Sequence, residues 1–320
     1  MSKPQLLPIS ALIPTRNRSL PLSKMLNSLA EQSAQPIEII VVDGSLDNDT
    51  QKLCQANIPG LATQIIYHKA TEIGAAAQRN QAMSYASQNT IWLVDDDIIF
   101  EPDCLARLWA ALQSDTQLGG VNAMIVNQKY LPPGRVSHLL FRFLHDRTET
   151  SYAGKCIGPA LNLLPEDRPD LPAVVPVEWL NTTCVLYRRE ALPRPLFPSM
   201  FTGYSLMEDV TLSLVVGKKW KLVNARTARI FHDSQPGDHK NNKAVLAKME
   251  LVNRHYVMTS ILGQRQPADY LKLAVLQLFW IAASLVSVKG WLSLPSVLLG
   301  KFSAIREIIF SGYSAAGNES

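Results

Sequence analysis

The sequence predicts an α/β protein: a mostly parallel, Rossmann-type sheet flanked by helices, followed by an apolar helical extension at the C-terminus. Three observations predict it. Short runs of β-type residues alternate with helix-period segments over roughly the first hundred residues. Those runs are apolar throughout, which suits central strands covered on both faces. Residues 273–288, LAVLQLFWIAASLVSV, carry no charge and set the last sixth of the chain apart.

Each element follows from local pattern. A strand is predicted over 9–13, stopped by Pro14, and a helix over 20–32, where Leu22, Met25, Leu26 and Leu29 recur at helical spacing. The β-branched run 37–42 reads as a strand ending at Asp43-Gly44-Ser45. A helix over 50–56, a strand over 63–68 and an Ala- and Gln-rich helix over 74–88 follow. Next come a strand over 91–94 and a helix over 103–114. Between about 120 and 200 many prolines, Pro132-Pro133 among them, predict loops and short strands, one near 183–187. A helix from near Met207 to Val216 stops at Gly217, with Lys218 and Lys219 beside its end, and 221–233 reads as extended.

Composition bounds the function. With 320 residues, 47% of them hydrophobic, the chain can bury a large core. A net charge of +4 is too small to argue for a nucleic-acid partner. The four cysteines, Cys54, Cys104, Cys156 and Cys184, show no C-x-x-C spacing. That points away from zinc or a disulfide framework and toward a reducing cytosol. The opening MSKPQLLPISALIPTRNR lacks the apolar core of a secretion signal. The sixteen uncharged positions of 273–288 fall short of the roughly 20 that a spanning helix needs. A buried cap helix fits this tail, and so do interfacial helices with Trp280, Trp291, Lys272, Lys289 and Lys301 at headgroup level.

In sheets of this type ligands bind beyond the carboxyl ends of the strands. The predicted ends carry polar residues: Thr15 and Asn17, then Asp43 and Ser45, then Asp95, Asp96 and Asp97. Three like charges closing an apolar run in TIWLVDDDIIFEPD are costly unless a cation sits among them. Oxygen ligands of this kind suit Mg²⁺ or Mn²⁺, which commonly bind a carboxylate or two plus substrate phosphates. In an extended chain alternate residues share a face, so Asp95 and Asp97 are expected to meet one ligand and Asp96 to face elsewhere.

Five segments occur in a fixed order: ALIPTRNR (11–18), VVDGSLDNDT (41–50), GAAAQRNQAM (74–83), LVDDDIIFEPD (93–103) and SLMEDVTLSLVVGKKWKLV (205–223). Together they closely resemble the family 2 glycosyltransferases, inverting enzymes of the GT-A fold. The resemblance spans about 9–235 and implies a GT-A-like domain over 1–235, with a nucleotide-binding half (1–115) and an acceptor and catalytic half (116–235). Residues 236–320 would form the helical extension, and the membrane's cytoplasmic face is the expected location.

The resemblance also implies roles. Pro14, Thr15, Asn17 and Arg18 match the loop that meets base and phosphates, and Asp43, with Ser45 beside it, the carboxylate that holds the base. Arg79 and Asn80 match an Arg-Asn pair at the edge of the nucleotide site. Asp95 to Asp97 are similar to the D-x-D element, with Asp95 and Asp96 toward the nucleotide and Asp97 on a Mn²⁺ or Mg²⁺ ion. Glu208-Asp209 resembles the Glu-Asp motif whose aspartate is the general base. His232 sits where relatives place a histidine near metal and diphosphate, with His239 a weaker substitute. Trp179, Asn181 and Thr182 lie where relatives contact sugar or acceptor.

Two positions depart from the pattern: Arg16 replaces a frequent aromatic, and Thr211 a second downstream acid. No Q-x-x-R-W run follows the Glu-Asp pair, which favours transfer of a single sugar. The implied donor is a UDP-, GDP- or dTDP-sugar and the implied acceptor a glycolipid or surface polysaccharide. A nucleotidyltransferase or a non-catalytic sugar-nucleotide scaffold are the competing readings.

Overall fold

A computed structural model describes residues 3–145, 149–234 and 242–310. The chain divides into two compact units. One comprises Met1–Pro132, Ser151–Cys156 and Asn162–Gln235, and the other Pro133–Thr150, Ile157–Leu161 and Pro236–Ser320.

The first unit is built on a sheet. In chain order its leading elements are β1 (Gln5–Thr15), α1 (Ser19–Ala30), β2 (Ala34–Asp43), α2 (Asp49–Gln55), β3 (Gln64–Lys69), α3 (Ala75–Tyr85) and β4 (Thr90–Val94). Then come β5 (Ile98–Phe100), α4 (Cys104–Gln113), β6 (Leu118–Ile125) and, in the other unit, α5 (Arg135–His145). Short strands β7 (Cys156–Ile157), β8 (Leu161–Asn162) and β9 (Val174–Pro176) lead to β10 (Cys184–Arg188), α6 (Glu208–Gly217) and β11 (Lys221–His232). The sheet runs β3-β2-β1-β4-β10-β6-β11-β5, with β9 paired to β11. Pairs β3-β2, β2-β1, β1-β4 and β6-β11 are parallel, while β10 is antiparallel to both its neighbours. This is the mostly parallel, helix-flanked sheet that the sequence predicts.

The predicted α1 positions Leu22, Met25, Leu26 and Leu29 are all buried in one core with Ile9, Ile39, Trp92 and Leu108. Each fully buried side chain of this size contributes about 1.5–3 kcal/mol. Two predictions needed correction here. β1 does not stop at Pro14 but runs through it to Thr15. Its pairing with β4 ends at Leu12, while Pro14 and Thr15 stay in register with Val42 and Asp43 of β2. The proline-rich middle hides a regular strand, β6, whose eight residues are all buried, and an amphipathic helix, α5.

The second unit is helical: α5, α7 (Lys243–Tyr256), a π-helical turn (Val257–Ile261), α8 (Pro267–Ser284) and α9 (Val288–Phe310). Here α9 is one helix of 23 residues that runs through Pro295. Pro295 is exposed, and so is Trp291, whose carbonyl loses its helical partner, so the missing bond opens toward solvent. Gly300 lets α9 press against α7: a Cβ there would stand 2.2 Å from the Ala244 carbonyl oxygen. Glu250 on α7 pairs with both Arg254 and Lys301 and accepts their hydrogen bonds. Among the described residues no helix is long and apolar enough to cross a membrane.

Two stability predictions follow from this packing. A Cβ on Gly120 would meet Leu180 and Tyr187 at 2.7 Å, whereas none of the chain lies within 4 Å of one on Gly134. Gly120→Ala is expected to cost about 1–3 kcal/mol in urea denaturation and Gly134→Ala less than about 0.5. Burial works against the Glu250 charge, but Arg254 and Lys301 outweigh it and hold the carboxyl below its ordinary 4.5. A lowered folded pKa contributes stability that is complete above 4.5 and is lost as the pH falls through the folded value. The melting-temperature gap between wild type and Glu250→Gln should therefore close on acidification below that point.

Candidate functional site

The site lies beyond the carboxyl ends of β1, β2 and β4, where α3 and α6 begin. Register brings the ends together: Thr15 stands opposite Asp43, and Asp43 opposite Lys69. Gln78, buried at the start of α3, fastens them. Its Nε2 donates to the carbonyls of Thr15 (2.9 Å) and Val42 (2.7 Å), and its Oε1 accepts from the Gly74 N–H.

Asp43 is fully buried. Its Oδ1 accepts from the Ser45 N–H (2.8 Å) and hydroxyl, and its Oδ2 from the Tyr67 hydroxyl (3.0 Å). The Lys69 ammonium lies 3.8 Å away and bonds the Ser45 carbonyl. Ser45 Oγ in turn accepts from the Asn17 N–H at 2.7 Å. Asn17 has φ 54°, a left-handed conformation that asparagine tolerates and that turns the first loop over Ser45.

The aspartate triplet divides. β4 ends at Val94, and the chain turns at Asp96-Asp97 before β5. The division thus comes from a turn and not from strand alternation. Asp95, Asp97 and His232 form a group whose potential ligand atoms all lie within 4.8 Å of one another. His232 Nε2 is 3.1 Å from Asp97 Oδ1. Asp96 instead accepts from the Thr15 hydroxyl (2.6 Å) and from Arg18 (3.1 Å). Arg18 bridges the two halves, since the same Nη1 lies 3.1 Å from Asp97 Oδ2. Burial pushes the Asp96 carboxyl up to about 7, against the pull of Thr15 and Arg18. Two carboxylate oxygens and one imidazole nitrogen in reach of one point fit a divalent ion such as Mn²⁺ or Mg²⁺.

α6 brings the second acidic pair. Its first turn is Glu208-Asp209, preceded by Ser205 (φ 56°) and Met207 (φ 75°), both left-handed. Such backbone costs of order 1–3 kcal/mol per residue and persists only where surrounding contacts enforce it. One of those contacts is a bridge between Gly203 and Gly74, where Gly74 at φ 145° has no Cβ to hold the strands apart. Arg79, on α3 and buried, joins the two acidic groups. Its Nη2 is 2.5 Å from Asp95 Oδ1 and its Nη1 3.5 Å from Glu208 Oε1. Burial and their mutual repulsion raise the Glu208 carboxyl, and burial raises Asp209. Asp209 Oδ1 accepts from the Val210 N–H at 2.7 Å. Asp209 lies in the field of both Arg79 and Asp95, and Asp95 in that of Asp97 and His232, so one continuous acidic cluster contains both motifs.

Not every predicted residue faces this cluster. Asn80 bonds the backbone of Phe197 through both side-chain atoms (2.8 and 3.0 Å), pinning a loop rather than opening on the nucleotide side. Pro14 is buried in β1. The Trp179 indole donates to the Leu163 carbonyl at 2.7 Å. Asn181 and Thr182 are buried next to Thr183, whose carbonyl accepts from the Asp95 N–H, and Asn181 Oδ1 has no hydrogen-bond partner among the described residues. His239 lies outside the described residues. Sequence reasoning missed Gln78, Tyr67, Lys69 and Tyr204. Gln78 stands beside Arg79 in the GAAAQRN segment, and the parallel register would have put Lys69 opposite Asp43. The Tyr204 phenol is raised by burial and by Glu208, Asp95 and Asp97, which places it among the same acids.

Comparison with known proteins agrees with this geometry. The model of Glycosyl transferase family 2 matches residues 10–161. A "PGL/p-HBAD biosynthesis glycosyltransferase" of Mycobacterium bovis is 29% identical over 138 residues, 42% of this chain and 54% of that protein. The glycosyltransferase GlyG of Streptococcus pneumoniae is 28% identical over 105 residues, 33% of this chain and 35% of that one. The chain thus spans about half the length, or less, of these curated relatives. A solved structure of the mannosyltransferase PcManGT from Pyrobaculum calidifontis, in complex with GDP-Man and Mn²⁺, superposes with a TM-score of 0.52 at 15% identity, covering 95% of this chain and 87% of that one. GalNAc-T7 with UDP, GalNAc and Mn²⁺ gives 0.52 at 14%, covering 70% and 43%. At such identities the likeness is one of fold, the GT-A arrangement.

Arg79 is the buried cation between two half-buried acids, so Arg79→Met is expected to destabilise by roughly 3 kcal/mol. In a double-mutant cycle Glu208→Gln should recover part of that loss. Urea unfolding of the two single variants and the double variant measures both.

Proposed function

We propose, from the match of residues 10–161 to the model of Glycosyl transferase family 2, that this protein transfers a single sugar, with inversion, from a nucleotide-sugar donor to an acceptor hydroxyl. The observation that carries the proposal is the acidic cluster itself. Carboxylates from the end of β4 and the start of α6 share Arg79, and one arm of the cluster offers Asp95, Asp97 and His232 to a common point.

Each group has a role its surroundings suit. Asp43, backed by Tyr67, Ser45 and Lys69, presents a buried carboxylate at the strand end where a nucleobase would sit. Arg18 and the loop around Asn17 meet the donor's phosphates. Asp95, Asp97 and His232 would hold Mn²⁺ or Mg²⁺. Bound there, the ion neutralises charge that develops on the leaving diphosphate.

Arg79 occupies Glu208 and so leaves Asp209 as the general base for the acceptor hydroxyl. Burial raises the Asp209 carboxyl, which makes it a stronger proton acceptor than an exposed aspartate. Asn181, buried and with an unpartnered Oδ1, is a candidate for a donor-sugar hydroxyl, with Thr182 beside it. The fold neighbours solved with GDP-Man or with UDP, each with Mn²⁺, support a sugar nucleotide and a divalent ion. The relative named for PGL/p-HBAD biosynthesis supports a biosynthetic glycosyl transfer; the proposed acceptor is a glycolipid or surface polysaccharide, and the proposed place of work the cytoplasmic face of the cell membrane.

Thermal shift with UDP-, GDP- and dTDP-sugars, with and without Mn²⁺, tests the reading. A donor at about 100 times its Kd stabilises by about 2.7 kcal/mol. The matching donor should shift the protein only when metal is present, and Asp97→Ala should abolish that dependence. Asp209→Asn should keep donor binding and lower kcat by roughly 100-fold or more. A protein that no donor shifts refutes the proposal, and one that binds donor without turnover on any acceptor is a scaffold.

A further inference from the structure

We propose that the helical unit docks on anionic lipid through the outer face of α9, which lies in the plane of the bilayer surface. This goes beyond the transfer reaction and stands independently of it. The helix has two apolar faces. Gly290, Gly300 and Ala304 are buried, with Gly300 and Ala304 packed toward α7. On the other side Val288, Trp291, Leu292, Leu299, Phe302 and Ile309 recur at helical spacing and are exposed, from 59% at Trp291 to 78% at Leu292. Twenty-three residues make a stripe about 34 Å long. A contiguous apolar surface of that extent marks an interaction site.

Charge identifies the occupant. The described residues of this unit include four acids, and each is engaged. Glu149 meets His145, Glu250 meets Arg254 and Lys301, Glu307 meets Lys248, and Asp269 accepts from the Gln266 N–H that opens α8. Lys289 and Arg306 on α9 are exposed and make no ion pair among the described residues; the same holds for Arg135 and Arg142 on α5. On α5 a second exposed apolar line, Val136, Leu139 and Phe143, runs beside those arginines. Open cations around apolar side chains complement anionic headgroups over acyl chains, and long basic side chains reach back to the phosphates. Trp291 has the amphipathic ring that favours this boundary.

Other occupants fit worse. The ten residues after Phe310, SGYSAAGNES, carry one large apolar side chain, too little to cover the stripe. A two-fold contact with a second copy sets the same patch against itself and repeats its unpaired cations. Among the described residues no helix is long and apolar enough to cross a membrane, and the proposal sets the stripe on the bilayer surface.

Cosedimentation of the full chain with vesicles of phosphatidylcholine, with or without phosphatidylglycerol, tests this. Wild type should pellet with the anionic vesicles, and less so as salt is raised. Lys289→Glu with Arg306→Glu should weaken binding by about tenfold or more. Leu292→Glu with Phe302→Glu should abolish it. Both pairs change exposed side chains, so an unchanged melting temperature certifies the fold, and donor-induced thermal shift reads the transfer site separately. Wild type left in the supernatant with anionic vesicles overturns the proposal. So does binding that Leu292→Glu with Phe302→Glu leaves intact. A dimer that those two substitutions dissociate, with no vesicle binding by wild type, assigns the face to a second copy instead.

Discussion

The carboxyl edge of the sheet depends on one buried cation, the guanidinium of Arg79. Asp95 leaves β4 and Glu208 opens α6, more than a hundred residues apart in sequence, yet both point at it. Without a positive charge between them their approach would cost several kcal/mol, because burial strips each of its water. Arg79 is held in place by its position one residue after Gln78, whose amide joins β1 and β2 to the start of α3. The backbone geometry of two strands thus fixes a group that lets distant acids approach one another. Arg18 does the same on the other side, for Asp96 and Asp97. The acids nonetheless outnumber these guanidiniums, and the group of Asp95, Asp97 and His232 has the ligand atoms that could hold a further cation.

Strain concentrates around the same edge. Asn17, Ser205 and Met207 are left-handed without being glycine, and each stands within three residues of a charged group of the site. The hydrogen bond from Asn17 N–H to Ser45 and the bridge between Gly74 and Gly203 supply the compensating contacts. Backbone held in this way aims the start of α6 at Arg79 more firmly than helix propensity could.

Much of this was legible in the sequence. Apolar runs gave the strands, and the polar residues that follow them gave the site, because a parallel sheet brings strand ends to one side whatever the loops do. The grouping of Asp95 with Asp97 was legible too, although a turn produces it where alternation was expected. The roles of Asn80 and Trp179 were not. Both are polar side chains spent on backbone carbonyls of loops, Phe197 and Leu163, whose paths no local pattern encodes. β6 escaped because Gly119 and Gly120 dilute its β character; they are there because Trp220, Leu180 and Tyr187 crowd the space a side chain would fill. α9 runs on through Pro295 because the hydrogen bond it forgoes opens toward solvent.

The path of the chain has one more implication. It leaves the sheet unit after Pro132, builds α5 among the C-terminal helices, and returns at Ser151. Cutting the protein near residue 235 therefore does not release a self-sufficient catalytic piece. It strands an amphipathic segment in mid-sequence, stripped of α8, with its greasy side seeking any surface it can find. A minimal version of the sheet unit has to lose Pro133–Thr150 and Ile157–Leu161 as well as the stretch from Pro236 onward, with splices across the internal gaps, so shortening one end does not make it.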